Sequence, residues 1–305
     1  VERALHNLFE LMGDMPVEAF DTQQARLLKE RLSRCPLYFG IRPEFEGRTL
    51  RQVVDSEGTH KTITAVTVNN RLRKLSAFMN WCKANGYIME NPLEGLKMMT
   101  GAAKEARVSF DNGDLRTLLD LNILQVEASK HPWRYWLPLL GRCTGARLCQ
   151  LRVDDFIQQQ GIQCIRIDDA TKGQNLKNSS SRRVLPIHPT LIELGLLRYV
   201  ESVSATGVDR LFPELEPVRG KLGHAPSKWF GRYKTKRGIT DSKKIFHSFR
   251  HTLIDDLRDA GVQDSLIKRM VGHEDSAVTF SVYGSRSPLN SMVNALQHIS
   301  LNSKI

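Results

Sequence analysis

No run of about eighteen apolar residues occurs anywhere in the 305 residues, and no signal-peptide pattern opens the chain, so membrane insertion and secretion are not expected. Cysteine is sparse. The five, Cys35, Cys82, Cys143, Cys149 and Cys164, form no CxxC pair and leave one unpaired in any disulfide scheme, which favours a reducing, cytoplasmic setting. There is no Gly-x-x-x-x-Gly-Lys-Ser/Thr loop and no paired acidic metal cluster, so neither a nucleotide nor a metal cofactor is expected. His247 and His251 are four apart, but Ser248 stands where an HExxH zinc site has glutamate. Solenoid-period repeats and long low-complexity tracts are also lacking.

What is abundant is positive charge. A formal net charge of +11 and a pI near 9.5 favour a polyanionic partner whose binding weakens with salt. The length suffices for two domains. The first hundred residues read as helices: Glu2 to Leu11, Thr22 to Leu32, and Thr64 to Lys83, where Val68, Leu72, Leu75, Phe78, Met79 and Cys82 recur at helical spacing and Asn85-Gly86 closes the run. The other side of that third helix carries Asn70, Arg71, Arg73 and Lys74, a candidate DNA-contacting face. A linker is expected from Asn91-Pro92 to about Phe110. Beyond it, Asp111 to Glu127 and Trp133 to Thr144 read as helices, Gly161 to Asp168 and Arg182 to Ile187 as antiparallel strands, and helices dominate after Pro189. The expected fold is mostly α with a small antiparallel β-sheet: a helical module at 1–95, a linker at 96–110, a mixed α+β domain at 111–288 and a helical tail at 289–305. Because Val1 already lies in helix-like sequence, an N-terminal piece is expected to precede it.

Five separated stretches each offer a residue suited to holding or attacking a phosphodiester. They are Arg147 in Thr144-Gly145-Ala146-Arg147, Lys177, His247 and Arg250 in His247-Ser248-Phe249-Arg250, His273 after Gly272, and Tyr283. Attack on such a phosphate builds negative charge on its nonbridging oxygens, and two forked guanidiniums can bind them. A phenol is a weak nucleophile at its ordinary pKa of about 10 and needs nearby cations and a proton acceptor, which His247 and His273 could supply. A lysine in the cationic site could protonate the departing 5′ oxygen. His247 and Arg250, three apart, share one helical face. Tyr199 and Tyr233 compete with Tyr283 in principle, but neither follows a Gly-His pair.

In this order the residues resemble the tyrosine recombinase family, specifically the phage and genomic-island integrases. The resemblance spans nearly the whole chain: Thr144 to Arg147, Lys177 to Pro186 with its Arg-x-x-Pro-like strand, His247 to Arg250, Gly272-His273, and Tyr283. It implies a helical core DNA-binding domain followed by a catalytic domain, and site-specific cleavage and rejoining of double-stranded DNA through a 3′-phosphotyrosyl link, without cofactor. It also implies a nucleoid-associated homotetramer coupled by the C-terminal tail, with accessory DNA-bending or directionality proteins. The apolar stripe Leu289, Met292, Val293, Leu296 and Ile299 would then face either its own domain or a neighbouring protomer. Two positions depart from the family pattern. Gln150 stands where an acidic residue is usual, so a hydrogen bond is expected to replace an ionic brace. The lysine segment holds both Lys172 and Lys177, of which Lys177, five residues before Arg182, better fits the hairpin. A type IB topoisomerase or a catalytically inactive DNA-binding module are the alternative readings.

Overall fold

The computed structural model describes residues 2–56, 58–100, 108–146, 148–168, 182–218, 220, 222–272 and 288–301. The chain divides into two compact units, Val1–Glu105 and Ala106–Ile305.

The first unit is built from α1 (Glu2–Met12), α2 (Thr22–Arg34), α3 (Leu50–Val54) and α4 (Ala65–Ala84). Helix starts fall where a side-chain oxygen satisfies an orphan N–H. Asp21 accepts from the Gln24 N–H at 2.8 Å, Thr64 accepts from that of Thr67, and Thr49 and Gln52 cap each other reciprocally. Val68, Leu72, Leu75 and Met79 of α4 bury against Leu8 and Leu11 of α1 and Leu28 and Leu32 of α2. Asn85 and Gly86, the latter at φ 77°, end α4 as its sequence indicates. The following strand of chain stays attached to this unit, since the Asn69 side chain bonds both backbone groups of Met98.

Near the start of the second unit the Phe110 N–H donates to the Thr252 hydroxyl at 2.8 Å. The helix expected across Asp111 to Glu127 is two, α5 (Asn112–Leu118) and α6 (Leu121–Ala128). The cause is Asp120, whose carboxylate caps the Ile123 N–H and so restarts the helix. Next, α7 (Trp133–Thr144) is buried at every position except Arg134, so the charge it carries inside, Arg142, needs an internal partner. A three-stranded antiparallel sheet follows, in the order β1 (Phe156–Gln159), β2 (Ile162–Ile167) and β3 (Arg183–Pro186). Register pairs Phe156 with Ile165 and Arg183 with Ile167. Gln160 and Gly161, both at positive φ, make the tight β1–β2 turn. Five helices complete the described unit: α8 (Pro189–Glu193), α9 (Leu196–Ser204), α10 (His224–Lys236), α11 (Ser248–Asp259) and α12 (Asp264–Val271), followed by the tail helix α13 (Leu289–Leu296).

The tail corrects one expectation. Leu289, Met292, Ala295, Leu296 and Ile299 are each at most 3 % exposed. They share a core with Cys164 of β2, Leu185 of β3, Leu253 and Leu257 of α11 and Met270 of α12. Burying that stripe within its own unit removes the apolar face that would otherwise be presented to a neighbouring subunit.

Candidate active site

Two contacts join α7 to α11 and the turn that precedes it. Gly141 admits the Phe246 and Phe249 rings, which a Cβ there would meet at 3.0 and 3.4 Å. Arg142, almost fully buried, forms an ion pair with Asp256. His247 is the residue that caps the start of α11, and the Ser248 hydroxyl accepts the Ile245 N–H at 3.1 Å, which tightens the turn that delivers His247 and Arg250. The His247 and His251 rings meet edge to face, 5.3 Å between centroids.

Arg250 is where the surrounding segments converge. α7 ends at Gly145, which takes a left-handed φ of 63°, and a Cβ there would lie 3.1 Å from the Arg250 Cγ and 3.3 Å from its Cα. Thus the Thr144-Gly145 step that precedes Arg147 is pressed onto Arg250. On the other side, Arg250 Nη1 donates to the Val271 carbonyl at the end of α12. Gly272 then turns left-handed at φ 70°, immediately before His273. Burial lowers the Arg250 pKa from its ordinary value, though a guanidinium remains charged at any physiological pH.

Of the predicted site residues, His247 and Arg250 are brought together at the start of α11. Arg147, Lys172, Lys177, His273 and Tyr283 lie outside the described residues. Among the described residues, no three His, Cys, Asp or Glu side chains cluster as a metal site would require. The competing phenols are engaged elsewhere: Tyr199 donates to the Leu211 carbonyl at 2.9 Å and Tyr233 to that of Leu118 at 3.0 Å, and burial raises the pKa of both. Neither is disposed to act as a nucleophile. Gln150 is half-buried and engaged, in keeping with a polar rather than free side chain.

One residue not singled out from the sequence stands beside Arg250. Arg183, the first residue of β3, donates through Nε to the Met270 carbonyl at 2.9 Å. Its guanidinium packs on Gly272 so closely that a Cβ there would lie 2.6 Å from Nη1. Burial first, and then the positive charge of Arg250, push its pKa down to about 10. Its signal in the sequence was the Arg-x-x-Pro spacing from Arg183 to Pro186, which marks the strand without giving the arginine a role.

A family model described as the phage integrase family matches residues 136–288, half of the chain. The chain belongs to the phage integrase family. It is accordingly a tyrosine recombinase, an enzyme that cleaves and rejoins DNA, and the matched span holds every active-site candidate from Arg147 to Tyr283. Solved integrases share its fold. The Tn1549 transposon integrase in complex with transposon right end DNA superposes with a TM-score of 0.58 at 17 % identity, over 96 % of this chain and 90 % of that one. A lambda integrase dimer bound to a COC′ core site gives 0.54 at 15 %, over 100 % and 88 %. The XerH site-specific recombinase in a post-cleavage complex with palindromic difH substrate gives 0.54 at 17 %, over 97 % and 73 %. No curated protein sequence matches the chain.

In the first unit, this integrase exposes Asn70, Arg73 and Lys74 on one side of α4, with Arg73 donating to Asn70. Arg71 corrects the sequence reading. Three residues from Val68 and four from Leu75, it flanks the buried stripe, is half-buried and faces the Cys35 thiol, whose pKa burial raises to about 11 despite that cation. The exposed candidate face is therefore Asn70, Arg73 and Lys74.

Proposed function

We propose that this integrase exchanges DNA strands at specific sites with Tyr283 as nucleophile. The phenolic oxygen forms a bond to a backbone phosphorus, the bond from phosphorus to the 5′ oxygen breaks, and a 3′-phosphotyrosyl link and a free 5′ hydroxyl result. The phenolic proton passes to a histidine, His247 or His273, and Lys177 (with Lys172 as the alternative) protonates the leaving 5′ oxygen. Arg147 and Arg250 hold the nonbridging oxygens as charge builds on them, a role whose loss typically costs about 3–4 kcal/mol of transition-state stabilisation. Attack by the partner strand's 5′ hydroxyl reverses the step, so the ester energy is kept and no nucleotide is consumed.

The observation that carries this reading is the convergence on Arg250. The Gly145 step before Arg147 packs on its stem, and the last turn of α12 before His273 takes its guanidinium. The engagement of Tyr199 and Tyr233 in the core supports Tyr283 over them. Double-stranded DNA is the partner, with Asn70, Arg73 and Lys74 contacting it from the first unit. A homotetramer on DNA, accessory directionality proteins and association with the nucleoid complete the proposal, and subunit coupling then rests on surfaces other than the buried α13 stripe.

A nicked duplex, its sequence recovered by binding selection from randomised DNA, tests the chemistry. Wild-type protein should become covalently attached at Tyr283, and Tyr283→Phe should bind the duplex without attachment. An adduct on another residue would end the assignment. Offering two distinguishable duplexes separates recombination from topoisomerase-like relaxation, because only recombination yields joined hybrids.

A further inference from the structure

An α-helix leaves its last carbonyls without partners inside the helix, and cations are favoured there. At the end of α12 two adjacent carbonyls are taken by two arginines from different elements: Met270 by Arg183 of β3 and Val271 by Arg250 of α11. Gly272 then provides the left-handed turn, and the Arg183 guanidinium fills the space where a side chain would be. From the geometry we infer that Arg183 is a positioning residue that locks the α12 terminus against Arg250 and so sets the point from which the chain enters His273. This inference rests on the proposed recombinase chemistry.

Three physical considerations bear on it. Bringing two guanidiniums together opposes folding, and the lowered Arg183 pKa records both that repulsion and the burial. The two helix-end carbonyls offset part of this cost now, and a phosphate held by Arg250 would offset more when DNA binds. Lysine cannot replace such a group, because the fork donates through Nε while Nη1 lies closest to Gly272, whereas an ammonium is a point donor on a flexible stem. Finally, β3 is the strand leaving the segment that carries Lys172 and Lys177, so its first residue touches the α12 terminus at the junction of two proposed catalytic segments.

The experiment compares full-length wild type, Arg183→Lys, Arg183→Gln and Gly272→Ala. Readouts are the unfolding midpoint, affinity for the selected duplex, and single-turnover cleavage of its nicked form. A matching duplex carries sulfur in place of the bridging 5′ oxygen, a leaving group that departs without needing a proton. Both Arg183 variants should bind DNA within a fewfold of wild type and cleave roughly ten- to a hundredfold more slowly, the range a misplacement of up to about 1 Å produces. Gly272→Ala should show the same pattern, and sulfur DNA should not restore the rate in any of them, because the defect lies with Arg250 and His273 rather than with the acid. Three results would overturn the inference: wild-type cleavage by Arg183→Gln, a cleavage loss fully matched by lost affinity or stability, or rescue by Arg183→Lys or by sulfur. Failure of wild type to attach to either DNA would instead remove the proposed chemistry, and this inference with it.

Discussion

Replacing Gly145 by alanine separates two costs that the structure combines at one position. The residue sits at φ 63°, where an L side chain is disfavoured by roughly 1–2 kcal/mol. For a unit of about 200 residues that strain alone lowers the melting temperature by roughly 2–8 °C. The second cost is contact, since the new methyl would meet Arg250 Cγ at 3.1 Å and Cα at 3.3 Å, and backbone cannot swing aside as a side-chain tip can. Relief requires α7 and α11 to part by a few tenths of an ångström, carrying the Arg250 guanidinium with them. If about 1 Å of misplacement costs a hundredfold, this shift costs roughly four- to tenfold in cleavage. Gly161→Ala is the control, because Gly161 has φ 77° but nothing within 4 Å of its would-be Cβ. Melting curves and single-turnover cleavage should therefore show similar strain in both variants, with an added activity loss in Gly145→Ala alone. Equal cleavage by the two would refute the claim that close helix approach at Gly145 sets Arg250.

Asp256→Ala should destabilise the second unit by about 3–5 kcal/mol in urea unfolding, because it leaves the buried Arg142 guanidinium without its carboxylate. His188 donates through Nε2 to the Ile299 carbonyl and accepts the Thr190 N–H at Nδ1, and burial lowers its pKa below the usual 6.5. The unfolded chain therefore binds the extra proton first, so wild-type stability should fall as pH drops through about 6.5, with at most about 1.4 kcal/mol per pH unit from this one group. His188→Gln should flatten that part of the curve, as followed by chemical unfolding at a series of pH values. Truncation after Ser287 should abolish cooperative folding of the second unit, because it strips six core side chains and a single Leu or Met to Ala change already costs about 2–5 kcal/mol. Circular dichroism and melting would report it, and a truncated protein that melts like the full chain would contradict the core assignment.

Periodicity made much of this fold legible. The stripe of α4 and the tryptophan- and leucine-rich run of α7 point to their burial, and the Gly-containing steps at Gly145 and Gly272 mark where the backbone turns left-handed. Three features were not. β1 has only Phe156 and Ile157 before two glutamines, too little alternation to register, and α3 is a single short turn that only its Thr49 cap announces. The break at Asp120 was hidden because apolar residues continue on both sides of it. The periodic pattern of α13 reveals a buried face but carries no information about which surface buries it. In the site, motifs identified Arg250 and marked the strand of Arg183, whereas what Arg183 touches became visible only when β3 was seen to run past the end of α12.

Placing α13 among the core strands and helices has a consequence for how the protein is made. Leu289 to Ile299 close a core whose other walls, β2, β3, α11 and α12, are synthesised earlier, so a nascent chain holds those walls open until its final helix has emerged. Until then the apolar sides of Cys164, Leu185, Leu253, Leu257 and Met270 stay uncovered, and such transiently exposed surface is where a half-made polypeptide is most prone to aggregate.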